Sequence, residues 1–182
     1  DMSSLNVING ICEDQVNIIR SNGTIKKVLL NNSFSDGLDI DFSNINIEEI
    51  FVKNSVNDCS DFSRGIYKIN KSTFINCGDK AISVGEKSNI NLNTVTVKNS
   101  NIGIASKDSS ISSINEIFLE NLNVCISAYN KKQEFSGSVL NIKKIECKNY
   151  LKESEIDNFS NIFVKNSKYF GSNWYLKIYE FS

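Results

Sequence analysis

Short segments in which apolar and polar residues alternate recur at a nearly constant spacing along the chain. In residues 35–42, Leu38, Ile40 and Phe42 alternate with polar residues, so we expect a strand that buries these three side chains. The polar residues that open successive segments follow in steps of 22, 22, 21, 22 and 22: Asp14, Asp36, Asp58, Asp79, Asn101 and Asn123. These steps indicate a structural repeat of about 22 residues.

Each repeat contains a second extended segment that bends in its middle. Residues 90–97 are typical, because apolar residues alternate on both sides of a polar pair that marks a corner. Asn-rich turns follow most of these segments, and the chain has 27 Asn and no Pro. The pattern predicts an all-β fold, a single right-handed parallel β-helix of seven to eight coils, called rungs below, that bury their faces by stacking.

Alignment of the repeats predicts which side chains share a column along the stack. Lys80 is interpreted as a one-residue insertion that restores the register after the 21-residue step. One column is mostly small and predicts a tight corner: Gln15, Gly37, Cys59, Ala81, Gly103 and Cys125. A second is mostly apolar and is predicted to point inward: Cys12, Phe34, Val56 and Cys77. The five cysteines, an odd number without a CxxC pair, are therefore interpreted as small core residues without a metal or redox role.

The pattern becomes less regular towards the C-terminus. Residues 1–150 are predicted to form the regular rungs of one domain, and 151–182 its last rung and a cap. A polar stretch at 129–135 predicts a loop. The cap is assigned to an aromatic-rich segment, for which a platform for sugars is the alternative: Tyr169, Phe170, Trp174, Tyr175, Tyr179 and Phe181. No matching cap precedes the first rung, so we expect the chain to continue a longer protein.

Composition limits the function classes. The net charge of −1 gives no basic field for nucleic acid, and no apolar run is long enough to insert into a membrane. The chain has no His, which excludes His-containing catalytic triads and His-ligated zinc. Neither a Gly-rich phosphate loop nor a nucleotide fingerprint occurs.

An acidic face is predicted around the first fully alternating strand. Asp39 and Asp41 point outward from it, and the 22-residue step places Asp61 directly above Asp39. Like charges stacked in this way are unfavourable, and oxygen-only ligands suit calcium. The sequence therefore predicts either a calcium site at Asp39, Asp41 and Asp61 or a solvated acidic face balanced by Arg64 and Lys80.

Charged residues also cluster in the turns after the short strands of three successive rungs: Lys80, Glu86, Lys87, Lys107, Asp108, Lys131 and Lys132. This ridge would bind an anionic polysaccharide, or it is surface charge that keeps the solenoid soluble. If the chain is an enzyme, its candidate catalytic residues are Asp39, Asp61, Arg64 and Lys80, with a desolvated Lys80 as the base.

The repeated polar-small-apolar rungs resemble the right-handed parallel β-helix superfamily with the pectate-lyase-like fold. The runs 77–88 and 100–110 are more specifically similar to repeat regions of bacterial surface proteins, some of them attached to CotH-type modules. The resemblance implies an extracellular or cell-envelope setting and a carbohydrate partner. The Gly-His-Gly motif of polygalacturonase-like hydrolases and the catalytic His of alginate epimerases are absent, and only Arg20 and Arg64 could supply the Arg base of pectate lyases.

These observations favour a non-catalytic surface or envelope domain that binds carbohydrate or another protein. The first alternative is a calcium-assisted lyase or epimerase without His that acts on an acidic glycan. The second is a rigid spacer without a ligand. A deep cleft over the acidic face would favour the enzyme, and a smooth face would favour binding or spacing.

Overall fold

The computed structural model describes residues 1–167, which form eleven β-strands and no helix. The strands are β1 (Leu5–Gly10), β2 (Asp14–Ile19), β3 (Asn22–Ser33), β4 (Asp36–Asp41), β5 (Asn44–Ser55), β6 (Ser60–Ser63), β7 (Ile66–Gly85), β8 (Asn89–Lys107), β9 (Ile111–Tyr129), β10 (Val139–Ile156) and β11 (Asn161–Ser167). The predicted cap lies in residues 168–182, outside the described part of the chain. Within that part, no helix is long and apolar enough to cross a membrane.

Every strand pair is parallel, and the pairing follows the predicted repeat. The long segments pair in the order β1-β3-β5-β7-β8-β9-β10-β11, while the short strands β2, β4 and β6 pair beside them. Val28 pairs with Ile50 and Ile50 with Ser72, which are steps of 22 residues. The prediction of a parallel β-solenoid with about 22 residues per turn and about seven turns is confirmed.

Two irregularities interrupt the repeat. The register shifts between Cys77 and Lys80, immediately before the residue interpreted as an insertion. The step from Ile117 to Ile145 is 28 residues, because a segment without strand structure separates β9 from β10. This segment, residues 130–138, is the predicted polar loop.

The core is a single cluster of stacked aliphatic side chains inside the coil. Leu38 and Ile40 are fully buried, as the alternation predicts. Phe42 was predicted to join them but is 44% exposed. The strand β4 ends at Asp41, and Phe42 adopts a φ of 51°, which turns its side chain out of the alternation.

One corner of the coil is formed by Asn residues in the left-handed region. Their φ values lie between 54° and 61°, a conformation that Asn tolerates better than most residues. Each amide nitrogen donates to the amide oxygen of the Asn one rung below, at 2.7–3.1 Å. The ladder comprises Asn9, Asn32, Asn54, Asn76, Asn99, Asn121 and Asn149. Turn geometry repeated from rung to rung thus accounts for seven of the 27 Asn residues.

Four of the five cysteines are buried in the core as interpreted, but the absence of a redox role is wrong, and Cys12 is exposed. Cys59 is disulfide-bonded to Cys77 and Cys125 to Cys147, across sequence separations of 18 and 22 residues. The columns that hold these residues face each other inside the coil. Gly103 lies in the column of Cys125, and Leu119 pairs in register with Cys147. A Cβ atom added at Gly103 would lie 2.9 Å from the side chain of Leu119, so these two columns are in close contact. Each disulfide therefore closes about one turn of the solenoid.

The predicted inward column of Cys12, Phe34, Val56 and Cys77 is wrong as well. Cys12 is exposed, and Phe34 and Val56 are 67% and 71% exposed. Cys77 is buried because it pairs in register with Ser55 instead of Val56. The register shift between Cys77 and Lys80 is a β-bulge that follows Cys77. An alignment anchored on Asp79 therefore places Cys77 opposite Val56, one residue away from its true partner Ser55. The tight-corner column, by contrast, is buried from Gly37 onwards.

Candidate functional site

The acidic face has the predicted register. Asp39 pairs directly with Asp61 on the neighbouring strand, and Asn17, one rung below, donates a hydrogen bond of 3.2 Å to Asp39. Burial, and then the charges of Asp41, Asp14 and other carboxylates, raise the pKa of Asp39 to about 7. Burial also raises the pKa of Asp41. This face therefore carries carboxylates that are not fully balanced by cations.

The structure brings Asp39 and Asp61 together but offers no complete ligand set for calcium. No group of three or more acidic, Cys or His side chains able to hold a metal ion occurs in residues 1–167. One oxygen of Asp61 lies 3.8 Å from the ammonium of Lys107, while the other is buried without a hydrogen bond. Burial raises the pKa of Asp61, and the charge of Lys107 opposes this shift. The calcium site stays a prediction.

Replacing Asp39 by Asn is expected to stabilise the protein at pH 8. A carboxyl whose folded-state pKa is raised binds its proton more tightly when folded, so the wild type loses stability as the pH rises from about 4 to about 7. Asn removes this loss, and we expect a gain of about 1–2 kcal/mol at pH 8 after allowing for solvent screening. The gain should vanish near pH 4. Urea unfolding at both pH values measures it.

The control for this variant is Glu120→Gln, because an ion pair with Lys98 lowers the pKa of the exposed Glu120 and no gain is expected there. Thermal melting of the wild type and Asp39→Asn in calcium and in EDTA tests whether this face binds the cation. A calcium-dependent rise in melting temperature that Asp39→Asn abolishes would support the predicted site. Equal stability of wild type and Asp39→Asn at pH 8 would contradict the electrostatic account.

Lys80, Lys107 and Asp108, predicted on a surface ridge, are instead buried, at 8%, 6% and 1% exposure. The ammonium of Lys80 lies 3.1 Å from Asp58 and makes a second, shorter contact with Asp79. Burial alone would lower the pKa of Lys80, but the hydrogen bond to Asp79 and the charge of Asp58 raise it overall. Lys80 therefore stays protonated, which is the opposite of what a catalytic base requires.

The remaining ridge residues lie around an exposed corner of the coil. The corner is formed by residues in one column, Arg20, Phe42, Arg64 and Glu86, and is called the charged corner below. Arg64 and Lys132 each form an ion pair with one oxygen of Glu86. The pKa of Glu86 is lowered, because these pairs outweigh its burial.

The loop 130–138 lies over this corner. The buried carboxylate of Asp108 accepts hydrogen bonds from the backbone amides of Lys131 and Lys132, at 2.7 and 2.8 Å. Phe135 approaches both Arg64 and Lys87, each with its cationic group 5.9 Å from the ring centroid. A shallow cavity of about 580 Å³ separates the loop from the rungs. The loop thus adds an aromatic wall to the charged corner.

A second region was not predicted from the sequence. A groove of about 880 Å³ runs along the outside of the coil, where the long segments bend. It crosses six rungs, which is about 24 Å at about 4.8 Å per rung. In five of these six rungs a buried aliphatic residue lies beneath the groove, each at most 3% exposed: Ile47, Ile69, Leu92, Ile114 and Ile142.

Mostly polar residues form the two walls of the groove. One wall is a column in register: Asn46, Lys68, Asn91, Ser113, Asn141 and Phe163. The other comprises Glu48, Asn70, Asn93, Asn115, Lys143 and Lys165. Asn93 donates to Asn70 at 3.0 Å and Asn115 donates to Asn93 at 3.2 Å. Each amide in this short ladder keeps hydrogen-bonding capacity for a ligand.

The sequence contains a signal for this groove. Asn70, Asn93 and Asn115 recur at steps of 23 and 22 residues, like the corner ladder. Their φ values are not in the left-handed region, so turn geometry does not require Asn there. A repeated Asn without a backbone reason indicates a side-chain role.

Comparisons with known proteins give no relative from which a role could be transferred. No family model, no curated protein and no solved structure matches this chain. The fold defines the chain as a parallel β-solenoid, and any function rests on its own residues.

Proposed function

We propose that this chain is a non-catalytic surface or envelope domain that binds an extended carbohydrate chain along the groove of the solenoid. The continuous groove across six rungs carries the proposal. Its amide walls offer donors and acceptors for the hydroxyl groups of sugars, and Phe163 places an aromatic ring at one end of it. The repeated geometry suits a ligand that is itself a repeat.

The two disulfides support an extracellular or envelope location. Disulfides persist in oxidising compartments and are rare in the cytosol. Cross-linked rungs also suit a domain exposed to proteases, because the cross-links oppose local unfolding. This setting agrees with the resemblance to β-helix repeat regions of bacterial surface proteins, which stays a proposal.

Binding of a glycan identified on an array is expected to be lost when the groove is filled. Ser113→Trp places an indole in the middle of one wall, and we expect at least a tenfold loss of affinity by steric exclusion. Thr96→Trp is the matched control, because Thr96 lies on the neighbouring strand β8, outside the groove. Its column already holds Phe118, so an aromatic side chain is accommodated there. Calorimetry on both variants measures the difference.

An unchanged affinity of Ser113→Trp would refute the groove as the binding site. A silent array would favour the rigid spacer. The lyase or epimerase alternative requires a base other than Lys80, and an assay for unsaturated or epimerised products from acidic polysaccharides tests it directly.

A further inference from the structure

The charged corner contains a second, separate binding arrangement. Arg20 and Arg64 are the only two arginines in a chain with 20 basic residues in total. They lie in the same column, two rungs apart, with Phe42 between them. Their guanidinium carbons are 5.1 and 5.2 Å from the centroid of the Phe42 ring. A lysine-rich sequence thus uses Arg at both positions that flank the Phe42 ring, where a planar cation can stack on its face.

The backbone conformation at this column makes bulky residues unexpected there. Arg20, Phe42 and Arg64 have φ values of 49°, 51° and 50°. Bulky residues are uncommon in this left-handed region, and the other left-handed corner of the same solenoid uses Asn in every rung. These bulky side chains thus occupy a backbone conformation that favours Asn or Gly, which indicates a role for the side chains themselves.

Both guanidinium groups keep donors available. Arg64 uses its Nε for the ion pair with Glu86, and Lys132 neutralises the other oxygen of that carboxylate. The terminal nitrogens of Arg64, and all side-chain donors of Arg20, have no hydrogen-bond acceptor in residues 1–167. Each arginine can thus present a two-pronged donor face to a carboxylate or sulfate group.

We propose that Arg20 and Arg64 form a two-point clamp for the anionic groups of a linear acidic polysaccharide. Two rungs separate the arginines by about 9.6 Å, which sets the spacing of the groups they hold. Phe135 offers an aromatic face beside Arg64, and Lys87 adds a further cation. Two arginines with one neighbouring lysine do not form the extended basic surface through which nucleic acid attracts proteins, and a chain of net charge −1 has no general basic field.

The clamp is tested by binding of the full chain to size-defined heparin and polygalacturonate, with dextran as the neutral control. The variant Arg20→Lys/Arg64→Lys keeps both positive charges but replaces each planar guanidinium group by an ammonium group. We expect about a tenfold loss of affinity. The control Lys26→Gln/Lys53→Gln removes two charges on other faces and should change affinity less than the Lys swaps. Phe42→Ala removes the ring against which both guanidinium groups stack, and it should also weaken binding.

Three outcomes would overturn the clamp: no binding to either polyanion, full affinity of the Arg20→Lys/Arg64→Lys variant, or equally tight binding of single-stranded DNA. Arg20→Lys alone keeps the test valid if the double variant unfolds, because the interaction of the exposed Arg20 with the Phe42 ring does not involve an ion pair. Comparison of the two polyanions distinguishes sulfate from carboxylate. Ser113→Trp should leave this binding unchanged, so failure of the groove and failure of the clamp are distinguishable.

Discussion

Replacing Lys80 by Met is expected to lower the free energy of unfolding by about 3–5 kcal/mol at pH 8, because it leaves the buried carboxylate of Asp58 without its counter-charge. Asp58 is 5% exposed, and its Oδ1 accepts hydrogen bonds from both the backbone amide and the ammonium of Lys80. Met has a similar length, so the packing of the aliphatic stem is kept. Urea unfolding followed by circular dichroism measures the loss.

The pH dependence identifies the cause. Burial raises the pKa of Asp58 even when Lys80 is present, and without Lys80 the pKa should rise further. A carboxyl with a raised folded-state pKa is tolerated at low pH and becomes costly as the pH rises through that value. The loss in Lys80→Met should therefore shrink towards pH 4. Adding Asp58→Asn should recover part of the stability at pH 8, because the amide is neutral.

A uniform loss at all pH values, with no recovery in the double variant, would show that packing rather than charge is responsible. A stable Lys80→Met protein that lost activity on an acidic polysaccharide would instead return Lys80 to a catalytic role. The structure favours neither result, since Lys80 is buried between two carboxylates.

The rungs could be predicted from sequence because stacking imposes the same pattern on each of them. Leu38 and Ile40 had to alternate with polar residues for any parallel coil to bury its inner face. The contact between Lys80 and Asp58 was harder to predict from the sequence. The bulge between Cys77 and Lys80 places Lys80 in the column of Asp58, and only the paired strands reveal that its ammonium points at that carboxylate.

The sites were harder to predict than the rungs. Asp39 and Asp61 could be stacked by counting, because they lie on regular strands without an intervening bulge. The groove depends on the angle at which each long segment bends, and polar residues at a bend have the same sequence pattern as a flat, solvated face. The charged corner depends on Phe42 leaving the strand alternation, which the periodicity predicted incorrectly.

The disulfides were missed for a similar reason. Cys59 and Cys77 lie 18 residues apart, less than one repeat, so column counting never aligns them. They meet because the coil closes on itself and two of its inner columns face each other. Pairing of this kind follows from the cross-section of the solenoid, which the linear repeat does not encode.

Replacing Cys125 and Cys147 together by Ser is expected to lower the free energy of unfolding by about 3 kcal/mol. The disulfide closes a loop of 22 residues, and its loss restores chain entropy to the unfolded state. The Cys59/Cys77 pair should behave similarly, since its loop has nearly the same length. Cys12→Ser is the control, because this exposed thiol is unpaired and its replacement should change little. Urea unfolding with and without dithiothreitol measures each effect.

Alkylation of the unfolded, unreduced protein gives an independent count of thiols. The structure predicts one reactive thiol, at Cys12, and five after reduction. In dithiothreitol the wild type should lose the stability that both disulfides supply, while the variant with all four paired cysteines replaced should be insensitive. Five thiols before reduction, with no effect of dithiothreitol on unfolding, would restore the interpretation of these cysteines as packed core residues. That result would also remove the physical support for an oxidising compartment, and with it the strongest argument for placing the groove and the clamp at a cell surface.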